Sequence, residues 1–355
     1  MTAWFADILK WIHSWLGSYG WSVIVFSLLI KVVLLPLDIK SRRSMRAMSA
    51  LNPQLEKLKA RYGNDQQKLN QKMSELYRKN KVSPLSGCPP LLIQLPLLWI
   101  MFAAMRNVAA ELQLSSMIKW INDMNLIESV EDGVTTLVDA GSDTVQNILA
   151  AIREGRGLEL FGSQESWLWI KSVFQADSFK SSVIPTCSEL QTAVRTYSKI
   201  LTPEQINTIT AYYQSAVGTA IDEAVQFNIH QGKAGFCLFL NWEFTRVNFP
   251  VNWTYVNGLY ILPVLAGVTQ VLSTMLQPAT ADTSANNSGS GKFMKWFFPI
   301  FSVIICMTST AAFAIYWVIV NIWSIVSSYI MNIVFEAKDK HKVIAPDTEK
   351  EALQP

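Results

Sequence analysis

The sequence has few charged residues and few cysteines and histidines. Charged side chains make up 16% of its 355 residues, against roughly a quarter in ordinary soluble domains. Its four cysteines and three histidines show no CxxC pair and no Cys/His spacing typical of a metal site. A formal net charge of +3 is too small to indicate nucleic-acid binding. We therefore expect no metal, no cofactor and no direct nucleic-acid partner.

Long apolar runs dominate instead. Half of the residues are hydrophobic and thirteen are tryptophan, a residue enriched at membrane interfaces. Five runs approach membrane-spanning length and predict spans at residues 21–37, 88–105, 259–276, 293–309 and 311–334. Trp4, Ile8, Trp11 and Trp15 recur at helical spacing, which predicts an interfacial amphipathic helix or a simple amphipathic cap over residues 1–20. The start lacks the features of a cleaved signal peptide, so none is predicted.

Charge in the connecting segments predicts the orientation. Residues 38–87 carry an excess of lysine and arginine, which places them in the cytoplasm by the positive-inside rule. The N-terminus and residues 106–258 are then extracytoplasmic, whereas a flexible linker at 277–292 and a tail at 335–355 are cytoplasmic. The expected location is the bacterial cell membrane.

The basic segment also has a helical pattern. Apolar residues recur at helical spacing on both sides of the sequence "YGND", which predicts a helical hairpin with a shared apolar seam. Its basic residues can serve as a solvated topology signal, as a docking surface, or as both. The candidate docking contacts are Met45, Met48, Leu55, Leu58, Met73 and Leu76.

Residues 106–258 are too long for an ordinary loop and predict a mainly helical accessory domain. Within it, Thr202, Pro203 and Gln205 have the spacing of a capping box with proline in the first turn, which predicts a helix beginning there. Cys187 and Cys237 are the only two cysteines that could share an aqueous face, and a disulfide between them stays an open alternative.

Lys31 lies inside the apolar run "FSLLIKVVLLPL". A charged side chain at that depth needs a partner or water. No predicted span contains aspartate, glutamate or histidine, so we expect a hydrated lysine rather than an intramembrane ion pair or a proton relay. Polar residues at helical spacing could form the wall of a groove around it; the alternative is that they only fasten helices together. These candidates are Ser27, Gln94, Gln270, Ser273, Asn321 and Ser324.

The stretch "NPQLEKLKARYGNDQQKLNQKMSELYRKNKVSPLSGCPPLLIQLPLLWIMF" resembles the cytoplasmic hairpin and second span of the YidC membrane protein insertases. "LYILPVLAGVTQVLSTML" is similar to their third span, and "FPIFSV" with "AIYWVIVNIWSIVSSYIMN" to the last two. "WLWIKSVFQADS" resembles the segment that precedes their third span. The resemblance covers the interfacial helix, the hairpin and all five predicted spans, in order.

The resemblance implies an all-α polytopic membrane protein with a five-helix transmembrane core. Five helices would surround a cytoplasm-open groove with one positive charge, here Lys31 where relatives more often have arginine. Substrate spans would slide past a lipid-facing surface at Tyr316 and Trp317. Nascent membrane proteins and membrane lipids are the implied partners, with the Sec translocon, the signal recognition particle system and the ribosome as candidates.

Other classes fit the residues less well. A secondary transporter would favour repeats and coupling-ion ligands, which five spans without carboxylates do not provide. An enzyme would need a nucleophile with a base or a metal set, yet His13, His230 and His341 lie outside the spans and Ser290 lies in the linker. We expect no enzymatic activity. The principal alternative to an insertase is a membrane-anchored scaffold that presents the accessory domain.

Overall fold

The structure is a computed structural model that describes residues 2–80, 89–161, 165–198, 201–231, 233–240, 243–250, 255–276 and 290–344. These residues are mostly helical, as expected, with thirteen helices and two antiparallel two-stranded hairpins. The chain divides into two compact units. The first unit contains residues 1–24, 100–263 and 304–315, and the second contains residues 25–99, 264–303 and 316–355.

The chain begins with the amphipathic helix α1 (Thr2–Leu16). Leu9 and Ile12 are buried, whereas Trp11 and Trp15 are exposed, so the helix packs one face and presents tryptophan on the other. Gly17 ends it with a left-handed backbone (φ 65°), and its N–H donates to the carbonyl of His13. Glycine adopts this conformation without the steric cost that a side chain would bring.

Helix α2 (Tyr19–Ser49) is longer than the first predicted span. It continues through Pro36 and beyond Leu37, so the basic residues up to Arg46 belong to the same helix as the apolar run. The stretch after Leu37 contains no glycine or second proline, and its serine, lysine, arginine, methionine and alanine residues are compatible with helix.

The predicted hairpin consists of α3 (Asn52–Tyr62) and α4 (Gln66–Lys79). Asp65 begins the second arm as its N-cap, because its carboxylate accepts a hydrogen bond from the N–H of Lys68 at 3.1 Å. Leu51, Leu55 and Tyr77 form a small buried core, which is the seam that the sequence pattern predicted.

Helix α5 (Pro89–Asp123) covers the second predicted span from residue 89 onward and continues well past residue 105. In the accessory region it is followed by the hairpin of β1 (Ile127–Glu131) and β2 (Val134–Leu137). Asp132 and Gly133 connect these strands with positive φ values of 49° and 78°, as a two-residue hairpin turn requires.

Five further helices build the core of the first unit. They are α6 (Asp143–Arg153), α7 (Gly157–Leu160), α8 (Cys187–Tyr197), α9 (Pro203–Gln214) and α10 (Ala216–Gln231). The start of α9 confirms the predicted capping box: Thr202 and Gln205 exchange side-chain-to-backbone hydrogen bonds of 3.3 and 3.0 Å. Strands β3 (Lys233–Leu240) and β4 (Glu243–Pro250) follow as an antiparallel pair.

The chain closes with α11 (Ile261–Leu276), α12 (Ser290–Thr308) and α13 (Ala311–Ile344). Among the described residues, α2 and the segment Ala311–Val334 of α13 are long and apolar enough to cross a membrane, while Ile261–Leu276 and Trp296–Thr308 are shorter apolar helices. Most of the expected linker at 277–292 and the last part of the expected tail lie outside the described residues.

Candidate functional site

Four polar residues of α2 lie on one face of the helix. Ser27, Lys31, Asp38 and Arg42 are spaced four, seven and four residues apart, so they share one side of the helix. Ser27 is fully buried and Lys31 is only 7% exposed. We call these four residues the polar face of α2. The predicted span 21–37 ends one residue before Asp38, so this carboxylate lies just outside the apolar run that marks the span.

Arg42 binds one turn of α13. Its Nη2 donates to the Oγ atoms of Ser324 and Ser327 at 3.2 and 3.0 Å and to the carbonyl of Ser324 at 3.3 Å. Its Nη1 donates to the hydroxyl of Ser328. The hydroxyls of Ser327 and Ser328 in turn donate to the carbonyl of Ser324 at 3.2 and 2.6 Å. Ser324, a predicted groove residue, thus accepts hydrogen bonds from a guanidinium that lies in the predicted basic segment 38–87.

Asn321 fastens α13 to α11. Its Nδ2 donates to the carbonyl of Ala266 at 3.3 Å and to Oγ1 of Thr269 at 3.2 Å. Both contacts are of the kind that polar residues make between membrane helices. On α11, Ser273 is buried and Gln270 is partly buried. Gln94 lies in α5, but its side chain is outside the described part of the chain.

The two aromatic residues expected on a lipid-facing surface differ in exposure. Tyr316 is only 1% exposed and Trp317 is partly buried, so Tyr316 does not occupy the exposed position expected for it. The preceding residues 311–315 are buried too, because this end of α13 packs inside the protein: the N–H groups of Ala311 and Ala312 donate to the carbonyls of Gln175 and Val173 at 2.8 Å. The exposed apolar residues of the helix come later and include Ile322, Val326, Tyr329, Ile330 and Ile333.

The six candidate docking residues of the hairpin region are not equally accessible. Met48 and Leu55 are buried, at 2% and 1% exposure. Met73 and Leu76 are partly buried against the hairpin core. Met45 and Leu58 are also partly buried. Three of the six, Leu55, Met73 and Leu76, therefore contribute to the core of the hairpin itself.

In the first unit, the segment that precedes α11 is held by two buried side chains. The carboxylate of Asp177 accepts hydrogen bonds from the N–H groups of Leu259 and Leu262 at 2.7 and 2.6 Å. Asn257 lies within this segment and binds residues 172–176, because its Oδ1 accepts from the N–H of Ser172 at 2.7 Å and its Nδ2 donates to three carbonyls, one of them that of Ser172 at 2.8 Å. These residues lie in irregular backbone, where periodicity offers no signal.

Helix α1 is held within the first unit by an ion pair, a histidine–glutamate contact and an aromatic contact. Lys10 Nζ lies 2.6 Å from Glu111 on α5, and His13 Nε2 lies 3.6 Å from Glu165. The His13 ring stacks on Tyr19 with 3.8 Å between centroids. Because both partners of the Lys10–Glu111 pair remain about one-third exposed, at 35% each, this pair contributes little to stability.

The accessory domain also contains a free thiol. Cys187 begins α8, and burial together with the nearby carboxylate of Asp222 raises the pKa of the thiol to about 11. Because Cys187 carries a free thiol, it does not form the disulfide that the sequence left open as an alternative. No group of three or more histidine, cysteine or acidic side chains is placed to hold a metal among the residues that the structure describes.

The sequence of residues 11–339 matches the model of the 60Kd inner membrane protein family. The chain belongs to this family. Its relatives include proteins named membrane protein insertase YidC from Bordetella petrii (40% identical over 34% of this chain), Fusobacterium nucleatum (47% over 29%) and Pseudomonas putida (43% over 34%). The matched region covers 21%, 50% and 21% of these relatives, respectively, so the chain spans at most about half of their length.

Proposed function

We propose that this protein is a membrane protein insertase, which moves a substrate's polar segment across the bilayer while its apolar segment enters lipid. The observation that carries the proposal is the family match over residues 11–339, together with relatives that bear the insertase name. A buried lysine on a helix long and apolar enough to span a membrane adds physical support.

In the proposed mechanism, five spans enclose a hydrated groove that opens to the cytoplasm. Water in the groove and the positive charge of Lys31 together lower the cost of holding a polar or acidic substrate segment at bilayer depth. Ser27, Gln94, Gln270 and Ser273 would contribute polar wall atoms. Burial of the substrate's apolar span in lipid then drives release. Nascent membrane proteins are the substrate class.

The surface along which a substrate span slides would lie closer to the C-terminal end of α13 than Tyr316 and Trp317, the two residues predicted from the sequence. Trp317 remains a candidate, whereas Tyr316 is enclosed. The exposed stripe at Ile322, Val326 and Tyr329 recurs at helical spacing and offers continuous apolar contact. Alongside it, the proposed topology places the hairpin in the cytoplasm and the accessory domain outside, with the Sec translocon, the signal recognition particle system and the ribosome as candidate partners.

The test is insertion into proteoliposomes that contain only this protein. A small single-span substrate is supplied, and protection from external protease measures insertion. Lys31→Arg should keep activity, whereas Lys31→Ala should lower insertion of substrates with acidic extracytoplasmic segments about fivefold, since a Coulomb attraction of about 1 kcal/mol is lost in a wet cavity. Lys40→Ala, on an exposed position of the same helix, is the matched control.

The opposing candidate is a membrane-anchored scaffold. It predicts that the purified protein inserts no more substrate than protein-free liposomes do, and that Lys31 variants change nothing. The first of these results would reject the insertase proposal. Insertion by the wild-type protein with equal losses for acidic and neutral substrates would retain the insertase and reject charge attraction by Lys31.

A further inference from the structure

The polar face of α2 carries three formal charges rather than one. Lys31 and Arg42 are positive and Asp38 is negative, and all three lie on the same side of one continuous helix. With a rise of 1.5 Å per residue, Asp38 lies about 10 Å from Lys31 and about 6 Å from Arg42 along the axis. Asp38 interacts electrostatically with both cations.

Arg42 keeps its charge in this arrangement. Its described hydrogen bonds all end on oxygen atoms of Ser324, Ser327 and Ser328, which are neutral. Neutral acceptors orient a guanidinium and offset part of its desolvation, but they do not cancel its field. The apolar helices of the second unit bring no carboxylate either: Ile261–Leu276 and Ala311–Val334 contain no acidic residue.

The net charge of the face therefore depends on Arg42 as much as on Lys31. With all three residues present the sum is +1 − 1 + 1 = +1. Without Arg42, Asp38 would oppose Lys31 and the sum would be zero. Without Asp38 it would be +2.

We propose that Arg42 is a second specificity-determining charge, which together with Lys31 and Asp38 gives this insertase a preference for substrates with acidic extracytoplasmic segments. This inference rests on the proposed function. It assigns to the arginine an effect on which substrates are inserted, in addition to holding α2 against α13.

A purely structural clamp makes different predictions from a charge, and three variants separate them. Arg42→Lys keeps the charge but loses the planar fork of donors. Replacement of Ser324, Ser327 and Ser328 by alanine keeps the charge and removes the hydroxyl acceptors. Arg42→Gln keeps some hydrogen-bonding capacity and removes the charge. If charge is what matters, the first two variants retain the preference for acidic substrates and the third loses it.

The experiment uses the full chain in proteoliposomes and two single-span substrates that differ only in extracytoplasmic charge, one acidic and one neutral. A unit charge about 10 Å away, at an effective dielectric of about 40, changes the acidic-to-neutral insertion ratio about fourfold. Arg42→Gln should lower this ratio by that factor, and Asp38→Asn should raise it by a similar factor. If Arg42 were only a structural clamp, Asp38→Asn would not raise the acidic-to-neutral ratio.

The next residue supplies the matched control. Arg43 is exposed and is rotated by about 100° around the helix from Arg42, so Arg43→Gln should leave the ratio unchanged. Thermal unfolding of each variant first confirms equal folding. If Arg42→Gln does not fold, the two single variants Arg42→Lys and Asp38→Asn still test the proposal, because the first should keep the ratio and the second should raise it.

Two failures are distinguishable. A wild-type protein that inserts neither substrate above protein-free liposomes rejects the proposed function. A wild-type protein that inserts both, combined with an unchanged ratio in Arg42→Gln and Asp38→Asn, rejects the role of Arg42 in specificity and leaves the insertase proposal standing. Equal loss of both substrates in Arg42→Lys and in the triple alanine variant would show that Arg42 acts only as a clamp.

Discussion

Asp177 should be among the costliest side chains to remove from the first unit. Its carboxylate has no exposed surface, and it accepts hydrogen bonds from two N–H groups at the start of α11 and, at 3.4 Å, from the indole of Trp169. The N-terminus of a helix favours a negative charge, because the N–H groups of the first turn have no partner within the helix. The folded protein thus holds this charge with several donors and a favourable dipole.

The expected magnitude follows from those contacts. Hydrogen bonds to a charged acceptor contribute about 1.5–3 kcal/mol each, and loss of a helix cap costs about 0.5–2 kcal/mol. Asp177→Ala leaves two backbone donors without this acceptor, one of them buried, so we expect it to lower the free energy of unfolding by about 3–5 kcal/mol. Asp177→Asn keeps one side-chain oxygen of the same size, and we expect a smaller loss of about 1–2 kcal/mol.

Thermal unfolding and limited proteolysis of the detergent-solubilised protein measure these changes. The matched control is Asp123→Ala at the exposed C-terminal end of α5, which should shift unfolding by no more than about 0.5 kcal/mol. Cleavage within residues 165–183 should accelerate in Asp177→Ala before the rest of the chain becomes sensitive. If Asp177→Ala unfolds at the same temperature as Asp123→Ala, the carboxylate does not hold the start of α11.

Three other predictions concern different parts of the chain. Gly258→Ala should also destabilise the protein, because a Cβ there would lie 1.9 Å from Oδ1 of Asp177; additive losses with Asp177→Ala would contradict this coupling. Deletion of residues 45–80 should impair insertion in cells and permit folding; a normal insertion rate would reduce the hairpin to a topology signal. With the other cysteines replaced by serine, alkylation of Cys187 should be slow at pH 8 and accelerate toward its pKa of about 11, and Asp222→Asn, which removes a negative neighbour, should lower that pKa; fast alkylation at pH 8 would refute it.

Local sequence signals predicted local structure well. The capping box at Thr202 and Gln205 is present because both its partners lie within four residues of each other. The hairpin seam of Leu51, Leu55 and Tyr77 follows from helical spacing on either side of a turn. In both cases the information that determines the structure lies within a few turns of helix.

Helix ends and long-range contacts could not be predicted in the same way. Apolar runs mark where a helix is hydrophobic, and α2 and α5 continue past their runs because polar helix-forming residues follow. Because the first predicted span ends at Leu37, it includes Lys31 but not Asp38 or Arg42, and the sequence alone does not indicate that the three charges share one helix face. Asp177 and Asn257 act on partners about eighty residues away in irregular backbone, with no period to reveal them.

The second unit segregates its polar and apolar contacts in the way that the insertase proposal requires. The guanidinium of Arg42 and the amide of Asn321 use their donors on neighbouring helices, so polar atoms fasten α13 to α2 and α11. Exposed apolar side chains form stripes elsewhere on α11 and α13, at Val264, Val268 and Leu272 and at Ile322, Val326 and Tyr329. Since lipid gives apolar helices little reason to associate, the polar contacts carry the specificity of packing. A substrate span would then meet apolar stripes, while its polar segment would meet the charged face of α2.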